Sequence, residues 1–118
     1  MFTFFRRFFG IIDPDYARIY TQARIVAWQY GYACVMHGSF TRDLDLILIP
    51  WREKPEPTKV EYVVAKIAQV TETTINGEPI AKPHGRKAWT LLLPGAHDVR
   101  WVDLSAFVPN SPQEQPKQ

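Results

Sequence analysis

Asp43-Leu44-Asp45 sets two carboxylates either side of one leucine, and the alternation continues through Leu46, Ile47, Leu48 and Ile49 until Pro50 stops it. Strict alternation is a strand signal, and successive strand side chains point to opposite faces. Asp43, Asp45, Ile47 and Ile49 therefore share one face and Leu44, Leu46 and Leu48 the other. The backbones of the two acids then stand roughly 6 to 7 Å apart. That geometry suits hard divalent cations better than acid–base work on a sugar, because metals in phosphoryl-transfer sites sit about 4 Å apart and need bridging oxygens. A further acid, Asp103, interrupts the apolar stretch Trp101-Val102-Asp103-Leu104. An unpaired acid inside an apolar strand is strongly unfavourable, so Asp103 reads either as a third metal ligand or as an edge-strand residue facing water.

Immediately upstream stands His37-Gly38-Ser39. Gly38 and Ser39, at the end of a short apolar run, would let backbone amides and a hydroxyl approach an anion closely. Arg42 offers a charge for a phosphate, or else a local ion pair with the aspartates. Lys82-Pro83-His84-Gly85-Arg86-Lys87 reads either as a phosphate-gripping loop or as a solvated hairpin turn. In the first reading Arg86 is the better donor and Lys82 its companion, since a guanidinium engages phosphate bidentately and keeps its charge. His37, His84 and His97 fit no zinc spacing, and the single cysteine, Cys34, is expected in a buried strand where a thiolate is disfavoured. Trp51, directly after Pro50, is the tryptophan best placed to stack on a base; the other tryptophans are expected to fill the core.

These groups need a scaffold. Asp13-Pro14-Asp15 has the composition of a helix start, and Tyr16, Ile19, Tyr20, Ala23, Ala27 and Tyr30 recur at helical spacing until Gly31. Tyr32 to His37 is a strand, and Asp43 to Ile49 a second. After the linker around Pro55 and Pro57, Val60, Val63, Val64, Ile67, Ala68 and Val70 mark a second helix. Asn76-Gly77 is a turn signal, and Lys87 to Leu93 and Val99 to Phe107 read as a strand pair joined through Pro94 to Asp98.

The chain of 118 residues, with a formal charge of +2, is sized for one core and is not basic enough for a dedicated nucleic-acid binder. The organisation expected is an aromatic N-terminal segment (1–12), one domain (13–108) and a disordered Pro- and Gln-rich tail (109–118). The aromatic segment is too short and too interrupted by Arg6 and Arg7 to span a membrane, and lacks the order of a secretory signal. No transmembrane segment is expected. A lone cysteine fits a reducing, cytoplasmic setting, and the aromatic segment leaves a homodimer open.

Taken together, the apolar strand, Gly-Ser, short turn, Asp-x-Asp strand, helix and later acidic strand resemble the minimal core of the nucleotidyltransferase superfamily, the group of polymerase-beta-like and antitoxin-type transferases. The resemblance covers roughly Tyr32 to Leu104. The His-Gly-Ser, Asp-Leu-Asp-Leu, Lys-Pro-His-Gly-Arg and Asp-Leu-Ser segments are also similar to those of small phage and prophage proteins, which would place this one in a bacterial host cell. The resemblance implies an α+β fold, a small mixed sheet with two main helices packed on it. It implies that Gly38 and Ser39 contact the phosphates of a nucleoside triphosphate, that Asp43 and Asp45 hold Mg2+, and that Asp103 completes the metal site and accepts the acceptor's proton. Only Phe40-Thr41-Arg42 separates Gly-Ser from the aspartates, where the family has a longer turn. That departure keeps a second expectation open: a non-catalytic phage accessory or counter-defence protein on the same fold, bound to a host protein or nucleic acid. Hydrolysis of a phosphodiester is a third.

Overall fold

A computed structural model describes residues 13–38, 43–95 and 98–108. The segments 1–12 and 109–118, with the candidate contacts Ser39 and Arg42, lie outside the described residues.

Helix α1 (Pro14–Gln29) starts where its composition requires. The Asp13 side chain accepts a hydrogen bond from the Asp15 amide at 2.9 Å, and Pro14 occupies a first-turn position where no amide is needed. Tyr16, Ile19, Ala23, Val26 and Ala27 form its buried stripe. Gly31 follows the helix at φ +94°, and a Cβ there would come within 3.0 Å of Pro57 Cα and 3.1 Å of Arg52 Nε. Arg52 donates to the carbonyls of Gln29, Pro55 and Glu56, so one guanidinium ties the helix end to the Pro-rich linker.

Strands β1 (Tyr32–His37) and β2 (Leu44–Pro50) come next, then helix α2 (Val60–Thr71). The remainder is β3 (Thr74–Lys82), a single 3-10 turn over Pro83–Gly85, β4 (Arg86–Leu92) and β5 (Trp101–Phe107). The sheet order is β1-β2-β5-β4-β3, with β2 and β5 parallel and every other neighbour antiparallel. This is an α+β fold with two helices on a five-stranded mixed sheet, as expected from the sequence. Among the described residues no helix is long and apolar enough to cross a membrane.

One element differs from the sequence reading. Asn76-Gly77 is not the turn between two elements but part of β3, where the register with β4 slips between Asn76 and Ile80. Gly77, Glu78 and Pro79 together stand opposite the single residue Trp89. An edge strand tolerates this, because a proline there gives up no ladder hydrogen bond and a bulge does not disturb a second neighbour.

Alternation divides the sheet into two unlike faces. Cys34, Leu46, Leu48, Leu91, Val102, Leu104 and Ala106 join the buried faces of α1 and α2 in one core. No helix covers the other face among the described residues. Across it, register sets His37, Asp45, Asp103, Thr90 and Asn76 in one row, and Val35, Ile47, Ser105, Ala88 and Ile80 in the next.

Arg100 locks the start of α1 to the start of β5. Its guanidinium lies 2.8 Å from Asp13, 2.9 Å from Asp15 and 2.7 Å from Asp98. Hydrogen bonds from Arg100 hold the Asp98 carboxyl down at about 2. Because that value lies below the unfolded one, the stabilisation is present above the ordinary carboxylate range and is lost as pH falls toward 2. Arg100→Ala is expected to lower the melting temperature by several degrees at neutral pH, with the gap to the parent protein closing as the pH of the scan is lowered.

Candidate metal centre

Leu44 and Leu46 are in the core, so Asp43 and Asp45 must emerge on the open face; Val102 and Leu104 impose the same on Asp103. A one-residue slip in either strand would bury acids and expose leucines, which fixes the register firmly. The parallel pairing of β2 with β5 then sets Asp45 directly opposite Asp103. The result is a half-buried cluster in which Asp43, Asp45 and Asp103 each offer a carboxylate oxygen, all within 4.8 Å of one another. Asp103 is not on an edge. It lies on the middle strand of the sheet, and its exposure comes from facing the uncovered side.

Gly38 shapes the same place. It has φ +92°, and a Cβ built on it would lie 2.9 Å from Asp45 Oδ2. Glycine therefore meets two demands there, a left-handed backbone and room for a carboxylate to lie against the chain. Gly38→Ala is expected to displace Asp45 and weaken divalent-cation binding by about tenfold, measured by calorimetry beside a circular-dichroism check of the fold.

The carboxyl of Asp103 is raised above the usual range, first by burial and then by contact with Asp43 and the charge of Asp45. The Trp101 indole N–H, which donates to Asp103 Oδ2 at 3.3 Å, opposes this. Three carboxylates brought together repel, and a cation among them would relieve that repulsion. The donor set is all oxygen, the choice of Mg2+, Mn2+ or Ca2+ rather than of softer metals. Oxygens on one such ion stand about 3 to 5 Å apart for metal–oxygen distances of about 2.1 to 2.5 Å, and the three carboxylates offer oxygens within 4.8 Å of one another.

From the acids a cleft of about 290 Å³ runs across the open face, lined by Asp45, Asp103, Thr90, Ser105, Lys82 and Arg86. Lys82 and Arg86 face each other in register at the closed end of the β3–β4 hairpin. The Arg86 guanidinium lies 5.9 Å from the centre of the Phe107 ring. Phe107 is four residues along β5 from Asp103, about 13 Å. The cleft thus has a carboxylate end and a cationic end. Lys82-to-Lys87 is a hairpin turn, and its two flanking cations point into the cleft; Lys87 instead pairs with Glu61 at 3.1 Å.

Of the candidate site residues, Gly38, Asp43, Asp45, Asp103, Lys82 and Arg86 are brought to this one face. Trp51 is not: it stacks on Trp28 with ring centres 4.3 Å apart, at the opposite end of β2 from the acids. Cys34 is buried, and burial pushes its thiol up to about 12. Thr90 and Ser105 were not foreseen. Ser105 shares the alternating face of Asp103 and was legible from that period; Thr90 reaches the site only through the β4–β5 register.

In comparisons with known proteins, no family model matches the chain and no curated protein matches it.

Proposed function

We propose that this protein is a metal-dependent nucleotidyltransferase of minimal size. The observation that carries the proposal is the convergence of Asp43, Asp45 and Asp103 from two adjacent parallel strands beside Gly38. In this reading the three aspartates hold Mg2+, which when bound would neutralise phosphate charge and orient the phosphates for in-line attack. Gly38 lets the chain approach the phosphates closely, with Ser39 and Arg42 as further contacts. Lys82 and Arg86, at the far end of the cleft, fit the remaining negative charge of the nucleotide or of an acceptor. An acceptor hydroxyl attacks the α-phosphorus of a nucleoside triphosphate, the bond to the bridging oxygen breaks, and pyrophosphate leaves. In the same reading Asp103 aligns the metal with the acceptor hydroxyl and accepts its proton. A cytoplasmic protein of phage or prophage origin remains part of the same proposal.

The test is calorimetric titration of Mg2+ with ATP, GTP, CTP and UTP into the parent protein and the Asp43→Ala/Asp45→Ala variant. Metal-dependent nucleotide binding that disappears in a folded double variant supports the proposal. Absence of binding to the parent protein, or binding indifferent to the substitutions, overturns it.

A further inference from the structure

The open face of the sheet is more apolar than a solvated face. Beside the row that carries the acids runs the row Val35, Ile47, Ser105, Ala88 and Ile80, and beyond it Ile49 stands opposite Ala33. Val35 is 43% exposed, Ile49 39% and Ile80 60%. A sheet face turned to water ordinarily carries polar residues, so branched aliphatic side chains on three of its strands mark a face that is built to be covered. The acids on the same face lack a basic partner: among the described residues no Lys or Arg forms an ion pair with Asp43, Asp45 or Asp103.

Residues 1–12 have the composition that complements this face. Phe2, Phe4, Phe5, Phe8 and Phe9 surround the adjacent pair Arg6-Arg7, and the segment holds no acid. Its point of attachment is fixed by described residues. Arg100 holds Asp13 at 2.8 Å, and the Tyr16 hydroxyl donates to the carbonyl of Trp101, the first residue of β5, at 3.3 Å. The segment thus joins the domain at the end of the sheet where Asp103, third in β5, stands. An extended chain covers about 3.3 to 3.6 Å per residue, so Arg7 reaches about 20 Å from Asp13 and Phe4 about 30 Å. The first length brings a guanidinium to the carboxylates. The second carries the rings on to the aliphatic row, two residues farther along the strands or about 7 Å.

We propose that residues 1–12 fold back over the open face of their own sheet, with Arg6 and Arg7 against the three aspartates and the phenylalanines on Val35, Ile47, Ile49 and Ile80. The arginines then stand where a divalent cation would, so that cation and segment exclude one another at the acids. The inference needs only the acid cluster and the apolar face, and is independent of the nucleotide chemistry proposed above. Tethering favours this occupant over a second copy of the chain. A segment joined to the domain by a few residues acts at an effective concentration on the order of millimolar, without a second molecule to recruit.

The experiment is nuclear magnetic resonance of the full chain with labelled isoleucine and valine methyls, in the absence of metal and nucleotide. Nuclear Overhauser contacts from phenylalanine rings to the Ile47, Ile49 and Ile80 methyls are expected. They should vanish in Phe4→Ser/Phe5→Ser, which separates them from contacts made by Phe107, and arise within one chain when labelled and unlabelled protein are mixed. Arg6→Gln/Arg7→Gln is expected to weaken the same contacts and to raise Mn2+ affinity, by about threefold for a segment docked two-thirds of the time. Absence of the contacts, contacts indifferent to both pairs of substitutions, or contacts that run between chains would each overturn the proposal. A parent protein that bound no Mn2+ would remove the metal reading, and the methyl contacts would still decide this one.

Discussion

Asp103→Asn is expected to move cation affinity and stability in opposite directions. The substitution keeps the shape of the side chain and removes one of the three negative charges of the proposed centre. Outer-shell partners of a metal typically change its affinity by about 10- to 100-fold when mutated, so loss of a direct ligand should reach at least that range. Stability should move the other way. The folded carboxyl of Asp103 is raised above its ordinary value, so the folded state binds a proton more readily than the unfolded chain. The stabilisation from that proton is complete below the unfolded value and is lost as pH rises through the folded one. At neutral pH the parent protein therefore bears the repulsion of three charged acids, and the asparagine variant does not. Thermal melts without divalent cation should place Asp103→Asn above the parent at pH 7, with the difference vanishing in acid. The same protonation predicts that cation affinity of the parent protein falls on acidification sooner than an ordinary aspartate would cause. A variant that lost stability at pH 7 while keeping its affinity would remove Asp103 from the centre.

Leu104→Ala is expected to be the most damaging single truncation in the core. Leu104 has no exposed surface and sits on the middle strand, in register with Leu46 on one side and Trp89 on the other. Truncation of such a leucine removes its transfer free energy and leaves a cavity between neighbours that cannot collapse freely. The expected loss is about 3 kcal/mol, which in a domain of this size corresponds to a fall in melting temperature of more than about 10 °C. Urea unfolding measures it directly. A change below about 1 kcal/mol would mean that the space under the acids is not packed as described.

Most of the scaffold was legible because its signals are periodic. The buried residues of α1 and α2 recur at three and four, and those of β2 and β5 at two, and both follow from side-chain direction alone. The face of the three aspartates was legible for the same reason. What the sequence did not disclose depends on which strand lies beside which. The parallel contact of β2 with β5 joins segments far apart in the chain, and no local pattern announces it. Asp103 was left between ligand and edge residue because edge and middle strands look alike until the order is known. β3 was missed for a local reason: Asn76-Gly77 and Pro79 are turn residues, and only the unpaired position of an edge accommodates them inside a strand. Nothing in the spacing of Trp51 indicated that Trp28 would cover its ring.

The parallel β2–β5 pair also bears on how the protein reaches its folded form. Asp45 and Asp103 are neighbours across a stretch of chain that includes α2, β3 and β4, so the acidic cluster is among the least local features of the chain. Non-local pairing is slow to nucleate, because loop-closure entropy is lost before the contact repays it. The denatured ensemble accordingly keeps Asp43 and Asp45 close but lacks Asp103 beside them, and a cation that prefers the assembled cluster acts chiefly as a ligand of the native state. Such an ion would slow unfolding more than it hastens refolding, which would make metal supply a control on the lifetime of the folded protein.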